Sequence, residues 1–146
     1  MGDTADDAVI SVPALRRYRP GEPRPYDAVV TLYAWAQPVD WEVEELRYGF
    51  GDGNLTRVDL DRVVRAAEWA WQRWYTGDRV LIRCQARLNR CGVVTALVLM
   101  LDGHDPQDAV RLIRLRRSPW ALCNDDFLDW LLHGAGVLLK HRLLAS

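Results

Sequence analysis

Residues 80–101 read VLIRCQARLNRCGVVTALVLML, and this stretch decides the fold class. It opens within a short apolar run, Arg79–Arg83, that is typical of a buried strand. A polar, irregular stretch follows from Cys84 to Asn89, and an apolar segment of helical length runs from Cys91 to Leu101. A strand, a short polar loop and a helix together build an anion site, because the first N–H groups of a helix are unpaired and carry partial positive charge.

The loop begins with a cysteine and ends with an arginine, Cys84 and Arg90. A thiol placed beside helix N–H groups favours its thiolate form, which is the nucleophile. The planar guanidinium group of an arginine can hold two phosphate oxygens at once. The intervening residues let the chain curl so that successive N–H groups converge on one anion. The sequence therefore predicts a phosphate-binding loop made of Gln85, Ala86, Arg87, Leu88, Asn89 and Arg90.

This loop resembles the signature of the protein tyrosine phosphatase superfamily, which is His-Cys, two residues, Gly, two residues, Arg, then Ser or Thr. The compact dual-specificity branch fits best. The resemblance spans roughly residues 26–132 and includes the run AVRLIRLRRSPWALCNDDFLDWL at residues 109–131. It implies that Cys84 attacks phosphorus, that Arg90 binds the phosphoryl oxygens, and that neither a metal nor a cofactor takes part.

The resemblance also implies a general acid on a loop about thirty residues before the cysteine. Asp52 lies in Gly51-Asp52-Gly53, 32 residues before Cys84, between a predicted strand and a predicted helix. An aspartate beside glycine is also common in plain turns, so that interpretation stays open. Asp59 and Asp61 are weaker candidates for the acid, because both fit the first turn of a helix.

Strands alternate with helices along the chain, which predicts an α/β three-layer domain with a central mixed sheet of about four to five strands flanked by helices. The β-branched run Ala28–Tyr33 and the weaker run Glu45–Phe50 are predicted strands. Helices are predicted from Asp59 to Gly77, from Pro106 to about Arg117, after Asn124, and from Val137 to Leu144. Trp71 and Trp74 are predicted core residues of the first of these helices, and Trp35 and Trp41 either join the core or wall the pocket.

A chain of 146 residues suits one domain. We expect an irregular N-terminal lead-in at residues 1–25, with frayed residues up to about 12, and a single phosphatase-like domain at residues 26–146. A net charge of −1 argues against a general nucleic-acid or anionic-membrane binder. The odd number of cysteines, three, and the acidic N-terminus without a long apolar run predict a cytoplasmic protein without a disulfide framework.

Three positions depart from the family pattern. Arg83 replaces the histidine and keeps a positive charge, whereas Arg87 replaces the glycine and strains the loop if that position needs a disfavoured backbone conformation. Cys91 replaces the hydroxyl residue and is a weaker hydrogen-bond donor to the departing thiolate. Since Cys91 lies near Cys84 in such a loop, a reversible disulfide between them is a hypothesis. Cys123 is predicted to be a packed structural cysteine.

The remaining charged residues suggest no second site. His104, His133 and His141 lack the spacing of metal ligands, so no metal is assigned. The basic run of Arg111, Arg114, Arg116 and Arg117 is interpreted mainly as a solvated helix face. Arg79, Arg83, Arg87 and Arg90 carry four positive charges without an acid among them, which could steer phosphorylated substrates to the loop.

The first functional hypothesis is therefore a cysteine-dependent phosphatase acting on phosphotyrosine and phosphoserine or phosphothreonine in proteins and peptides. The second is a pseudophosphatase that binds phosphoproteins without turnover, because of Arg87 and Cys91. The third is an RNA 5′-phosphatase, because Asn89 before Arg90 resembles the loop of some RNA-processing members. The balanced net charge makes nucleic acid a weaker partner than phosphoprotein, and no membrane partner is expected.

Overall fold

A computed structural model describes residues 7–12, 27–32, 44–49, 59–85 and 89–145 of the chain. The secondary structure, in chain order, is β1 (Asp7–Val12), β2 (Ala28–Thr31), β3 (Glu44–Arg47), α1 (Leu60–Tyr75), β4 (Val80–Gln85), α2 (Asn89–Leu101), α3 (Pro106–Arg116), α4 (Asp125–His133) and α5 (Ala135–Ala145). The predicted helices and the three strands after residue 25 are all present, with ends that shift by at most three residues.

The four described strands form one mixed sheet in the order β1-β4-β2-β3. β4 pairs in parallel with β2, placing Val30 beside Ile82, and β2 pairs in parallel with β3. β3 and β4 lie on either side of β2, and α1 supplies the crossover that connects these two parallel strands. The carboxyl ends of β2, β3 and β4 therefore meet at one edge of the sheet, where Cys84 lies. The mixed sheet and the α/β class are as predicted.

β1 is a strand that the sequence analysis missed. It runs antiparallel to β4, with Ile10 opposite Ile82 and Ala8 opposite Cys84. The expectation of irregular, frayed chain is thus wrong for Asp7–Val12. The segment AVISV within it is apolar and β-branched, which suits a strand. Its acidic neighbours obscured that signal, and its partner lies some seventy residues away. The domain boundary placed at residue 26 stays a prediction.

Both faces of the sheet are covered. One face carries Val30, Ile82 and Cys84, which pack with buried residues of all five helices in one hydrophobic core. Strand residues alternate between faces, so Val29 and Leu81 point the other way. Both are also buried.

The ends of the helices follow from local sequence. Asp59 caps α1 by accepting hydrogen bonds from the N–H groups of Asp61 and Arg62, and Gly77 follows the helix with a φ of 106°. Asp105 and Asn124 cap α3 and α4 in the same way. Asp59 and Asp61 therefore lie at the start of a helix, as expected. Trp71 and Trp74 are partly buried against the core.

Among the described residues, no helix combines the length and the hydrophobicity needed to cross a bilayer.

Candidate active site

Cys84 is the last but one residue of β4, and its side chain is fully buried on the core face of the sheet. The chain leaves β4 and returns as α2, so that the Cα atoms of Cys84 and Cys91 are 5.6 Å apart. The two sulfurs are joined as a disulfide, and both side chains are buried. The structure thus describes the oxidised form of the pair that the sequence analysis proposed.

The N-terminal turn of α2 faces the Cys84 sulfur. The backbone N–H of Cys91 donates a hydrogen bond to Cys84 Sγ over 3.3 Å. The first N–H groups of a helix have no partner inside it, and the helix dipole adds partial positive charge at this end. Hydrogen bonding to a charged sulfur stabilises the thiolate, so this arrangement favours an anionic Cys84 once the pair is reduced.

The predicted loop is shorter in the structure than in the sequence analysis. Asn89 and Arg90 form the first residues of α2 rather than the end of a loop. Arg90 is half-buried, and it lies one residue before the N–H that points at Cys84. The predicted phosphate ligands Ala86, Arg87 and Leu88 lie outside the described residues, as do the side chain of Gln85 and the predicted acid Asp52.

The start of α2 is tied to the start of α4 by Asn89. Its side chain is only 3% exposed. Its Oδ1 accepts a hydrogen bond from the backbone N–H of Asn124 over 3.1 Å, and its Nδ2 lies 3.7 Å from Cys123 Sγ. Cys123 is a free, exposed cysteine and not the packed residue that was predicted. The side chain of Asn89, on which the RNA-phosphatase hypothesis depended, is therefore engaged inside the protein.

The segment before α4 is braced against the same turn of α2. Leu122 is fully buried with a φ of 60°, and a Cβ added to Gly92 would lie 2.9 Å from Leu122 Cγ. Only glycine allows this close approach. Arg114 donates hydrogen bonds from Nε to the carbonyl of Ala121 and from Nη2 to that of Leu122, over 3.0 and 3.1 Å. Arg114 therefore holds the segment before α4 in place. The sequence had predicted that it would lie on a solvated helix face.

Arg83 points away from Cys84. On the opposite face of the sheet, Arg83 Nη2 lies 3.1 Å from Glu45 Oε2, and Arg83 Nε donates to Thr31 Oγ1 over 2.9 Å. The Thr31 hydroxyl and Arg47 also bind Glu45. The Arg83 and Glu45 side chains are 11% and 13% exposed. The positive charge at residue 83 is thus neutralised within the sheet and does not replace the family histidine beside the thiol.

The predicted cluster of four positive charges is also reduced. Arg79 forms an ion pair with Asp27, with Nε 3.4 Å from Oδ2, at the start of β4. Cys84 lies five positions further along the chain, which is about 16 Å in a strand. Arg79 and Arg83 are therefore both paired with acids, which reduces the positive charge that these two residues offer to an anion.

No group of three or more metal-ligating side chains comes together within the ranges that the structure describes. His133 forms a long, exposed contact with Asp129, with Nε2 3.8 Å from Oδ1.

Solved structures that are similar over most of the chain identify the fold. A crystal structure of Tk-PTP in the active form is 25% identical, with a TM-score of 0.61 over 76% of this chain and 81% of that chain. A mutant form of Tk-PTP matches at 26% identity and the same TM-score, over 78% of this chain and 81% of that one. The chain has the protein tyrosine phosphatase fold. Human DUSP28 shares it at 19% identity and a TM-score of 0.69, over 79% of this chain and 80% of that chain. The likeness supports a phosphatase of this superfamily. No family model and no curated protein matches the sequence.

Proposed function

We propose that this protein is a cysteine-dependent phosphatase that hydrolyses phosphotyrosine, and phosphoserine or phosphothreonine, in proteins. The observation that carries the proposal is the hydrogen bond from the Cys91 N–H to Cys84 Sγ, because it aims the unpaired end of a helix at the nucleophile. The protein tyrosine phosphatase fold supports the same conclusion. The proposed setting is the reducing cytoplasm, which keeps Cys84 available as a thiolate.

The proposed reaction has two steps. Cys84 attacks phosphorus in line to give a phosphocysteine, while Asp52 protonates the oxygen whose bond to phosphorus breaks. Loop amides from Gln85 to Arg90 and the Arg90 guanidinium hold the other three oxygens. Asp52 then takes a proton from a water molecule that attacks phosphorus, which releases phosphate and the thiolate.

An aryl-phosphate assay under reducing conditions tests this proposal. We expect vanadate-sensitive hydrolysis by the unchanged protein and none by Cys84→Ser. Asp52→Asn should slow hydrolysis most for substrates whose leaving group has a high pKa, because no acid then protonates the departing oxygen. His133→Gln is the control, since His133 is exposed and distant in sequence from the loop. Hydrolysis that survives Cys84→Ser would rule out the mechanism.

A catalytically weak phosphoprotein-binding protein is the second candidate. The observation that favours it is the place of Cys91, which supplies a backbone N–H to Cys84 but has no hydroxyl to offer the departing thiolate. This candidate predicts phosphopeptide binding with negligible turnover in the reduced protein. Restoring Arg87→Gly and Cys91→Ser together should then raise turnover sharply, and an unchanged rate would contradict it.

The Cys84–Cys91 disulfide is proposed to be reversible. A peroxide oxidises the Cys84 thiolate to a sulfenic acid, and the Cys91 thiol then attacks that sulfur, with loss of water, to form the disulfide. A dithiol reductant returns both thiols. The short distance between the two Cα atoms supports this exchange without movement of the backbone.

Recovery after brief peroxide treatment tests the exchange. The unchanged protein should regain its activity with dithiothreitol, whereas Cys91→Ser should lose activity permanently because Cys84 proceeds to a sulfinic acid. Cys123→Ser is the matched control, since Cys123 is the free, exposed thiol. Equal recovery of Cys91→Ser and the unchanged protein would contradict the proposal.

A further inference from the structure

A groove with an apolar floor runs between α3 and α4, whereas the cysteine pair lies on β4 and α2. Its volume is about 550 Å³. Val110 of α3 and Leu128 and Leu132 of α4 supply its apolar part, and Gln107, Arg111, Arg114, Leu115 and Pro119 complete its lining. We call this feature the α3–α4 groove.

A large hydrophobic side chain that lines the groove is exposed, and a second one follows the lining residues in the chain. Leu115 lines it and is 77% exposed, and Trp120, which follows groove-lining Pro119 in the chain, is exposed to the same extent. These are two of the four large hydrophobic residues that are exposed in the described part of the chain. Leucine and tryptophan grouped beside an apolar groove indicate a binding surface rather than scattered exposure.

The α3 wall of the groove is basic. Arg111 and Arg114 line it, and Arg116 and Arg117 follow at the end of the helix, against a single acid, Asp108, inside α3. The protein as a whole is slightly acidic, so this charge is local. Arg111 forms an exposed ion pair with Asp108, which water screens strongly and a partner's carboxylate can replace. Arg114 is fixed by its bonds to the carbonyls of Ala121 and Leu122.

We propose that the α3–α4 groove binds an acidic amphipathic helix of a partner protein. The partner's apolar side chains lie on Val110, Leu128 and Leu132, and its carboxylates face Arg111 and the end of α3. Two helices that wall an apolar groove are the usual setting for a third helix, which is anchored by residues at i, i+3, i+4 and i+7. The eleven residues of α3 give a wall about 16 Å long, which matches roughly three turns of helix.

The concave shape favours a helix over a lipid surface. A basic amphipathic helix with a tryptophan can also lie on an anionic membrane, but it then presents a convex apolar face. Here the apolar residues Val110, Leu128 and Leu132 form the inside of a groove between two helices. The side chains of a helix fit between two such walls, whereas a flat bilayer surface meets mainly their outer edges.

Binding of a labelled peptide tests the proposal. The probe is an amphipathic helical peptide of about 15 residues with leucines at i, i+3, i+4 and i+7 and glutamates on both flanks. Fluorescence anisotropy should show saturable binding that weakens with salt. A peptide with lysine in place of glutamate, and one with serine in place of leucine, should each bind at least about tenfold more weakly.

Variants of the protein locate the binding site. Arg111→Glu and Leu115→Ser should each weaken peptide binding about tenfold or more. Arg65→Glu is the matched control, because Arg65 is an exposed α1 arginine paired with Asp61 as Arg111 is with Asp108. Circular dichroism and thermal melting confirm that each variant is folded. The readout is binding alone, so it is independent of phosphatase activity.

The other outcomes overturn the proposal. Equal binding of the charge-reversed peptide, or unchanged binding by Arg111→Glu, would remove the role of charge. Binding to anionic lipid vesicles without binding to the peptide would assign the surface to a membrane. The protein could instead fail to bind the peptide and self-associate in sedimentation experiments. If Leu115→Ser abolished that self-association, the groove would be assigned to a second copy of the chain.

Discussion

Cys84 and Arg83 are neighbours on β4, yet their surroundings have almost nothing in common. Cys84 faces the core and receives an N–H from the start of α2. Arg83 faces the other side of the sheet, where Glu45 and Thr31 bind its guanidinium group. One strand therefore separates two tasks. The core face carries the proposed chemistry, and the opposite face carries an ion-pair network that holds three strands together.

The largest expected effect is a loss of activity that occurs when the core face of β4 is changed and not when the opposite face is changed. Cys84→Ser should lower hydrolysis of an aryl phosphate by about 10⁴-fold or more, because it removes the nucleophile. Arg83→Met should leave the activity of the folded protein within about threefold, which is under 1 kcal/mol of barrier. Steady-state rates measured under reducing conditions check both. A loss of activity in Arg83→Met comparable to that in Cys84→Ser would contradict the separate roles of the two faces and give Arg83 a role at the thiol.

The second effect is a loss of stability when the Arg83 face of β4 is changed. Arg83→Met removes one of the three groups that bind the Glu45 carboxylate, which is only 13% exposed and keeps Thr31 and Arg47. Losing one hydrogen bond to a buried charged group in this way costs about 1–3 kcal/mol of the free energy of unfolding. The double variant Arg83→Met, Glu45→Gln should regain much of that loss because no buried charge remains. Urea unfolding measures both, and equal losses in the single and double variants would contradict the pairing.

The sequence predicts elements better than it predicts partners. Apolar periodicity and capping residues such as Asp59 and Asn124 locate the helices, since both signals are local. The place of Arg83 depends on Glu45, which lies 38 residues away and meets it only through β2. A single sequence contains no record of that pairing. The same holds for β1, whose antiparallel register with β4 is set by the sheet.

The site shows the same limit. The pairing of Cys84 with Cys91 could be foreseen, because both belong to one short strand–loop–helix segment. The exposure of Cys123 and its approach to Asn89 could not, because they depend on how the chain before α4 packs on α2. The positive φ of Leu122 was equally hidden, since leucine gives no signal for a left-handed backbone.

The third prediction tests how closely Gly92 packs beside the Cys84 turn. A methyl group there would press on Leu122 at 2.9 Å, beside the turn that presents the Cys91 N–H. Gly92→Ala should therefore lower the free energy of unfolding by about 1–3 kcal/mol and also lower kcat. Gly136→Ala is the matched control, because its Cβ would meet nothing within 4 Å and helix propensity should slightly favour it. Similar free energies of unfolding and kcat values for the two variants would mean that the Leu122 side chain moves aside at little cost.

The smallest expected effect comes from a helix end remote from both faces of β4. Hydrogen bonding from the backbone N–H of Asp108 holds the pKa of the Asp105 carboxyl below its ordinary value. A lowered pKa in the folded state means that the cap stabilises the protein above pH 3.8, the ordinary value, and that this contribution disappears as the pH falls further. Asp105→Ala should therefore melt a few degrees lower at neutral pH, and this difference should shrink in acid. The proposed hydrolysis of an aryl phosphate at neutral pH should be unchanged, because α3 contributes no residue to the Cys84 turn. A pH-independent difference would mean that the helix end is stabilised by something other than the charged cap.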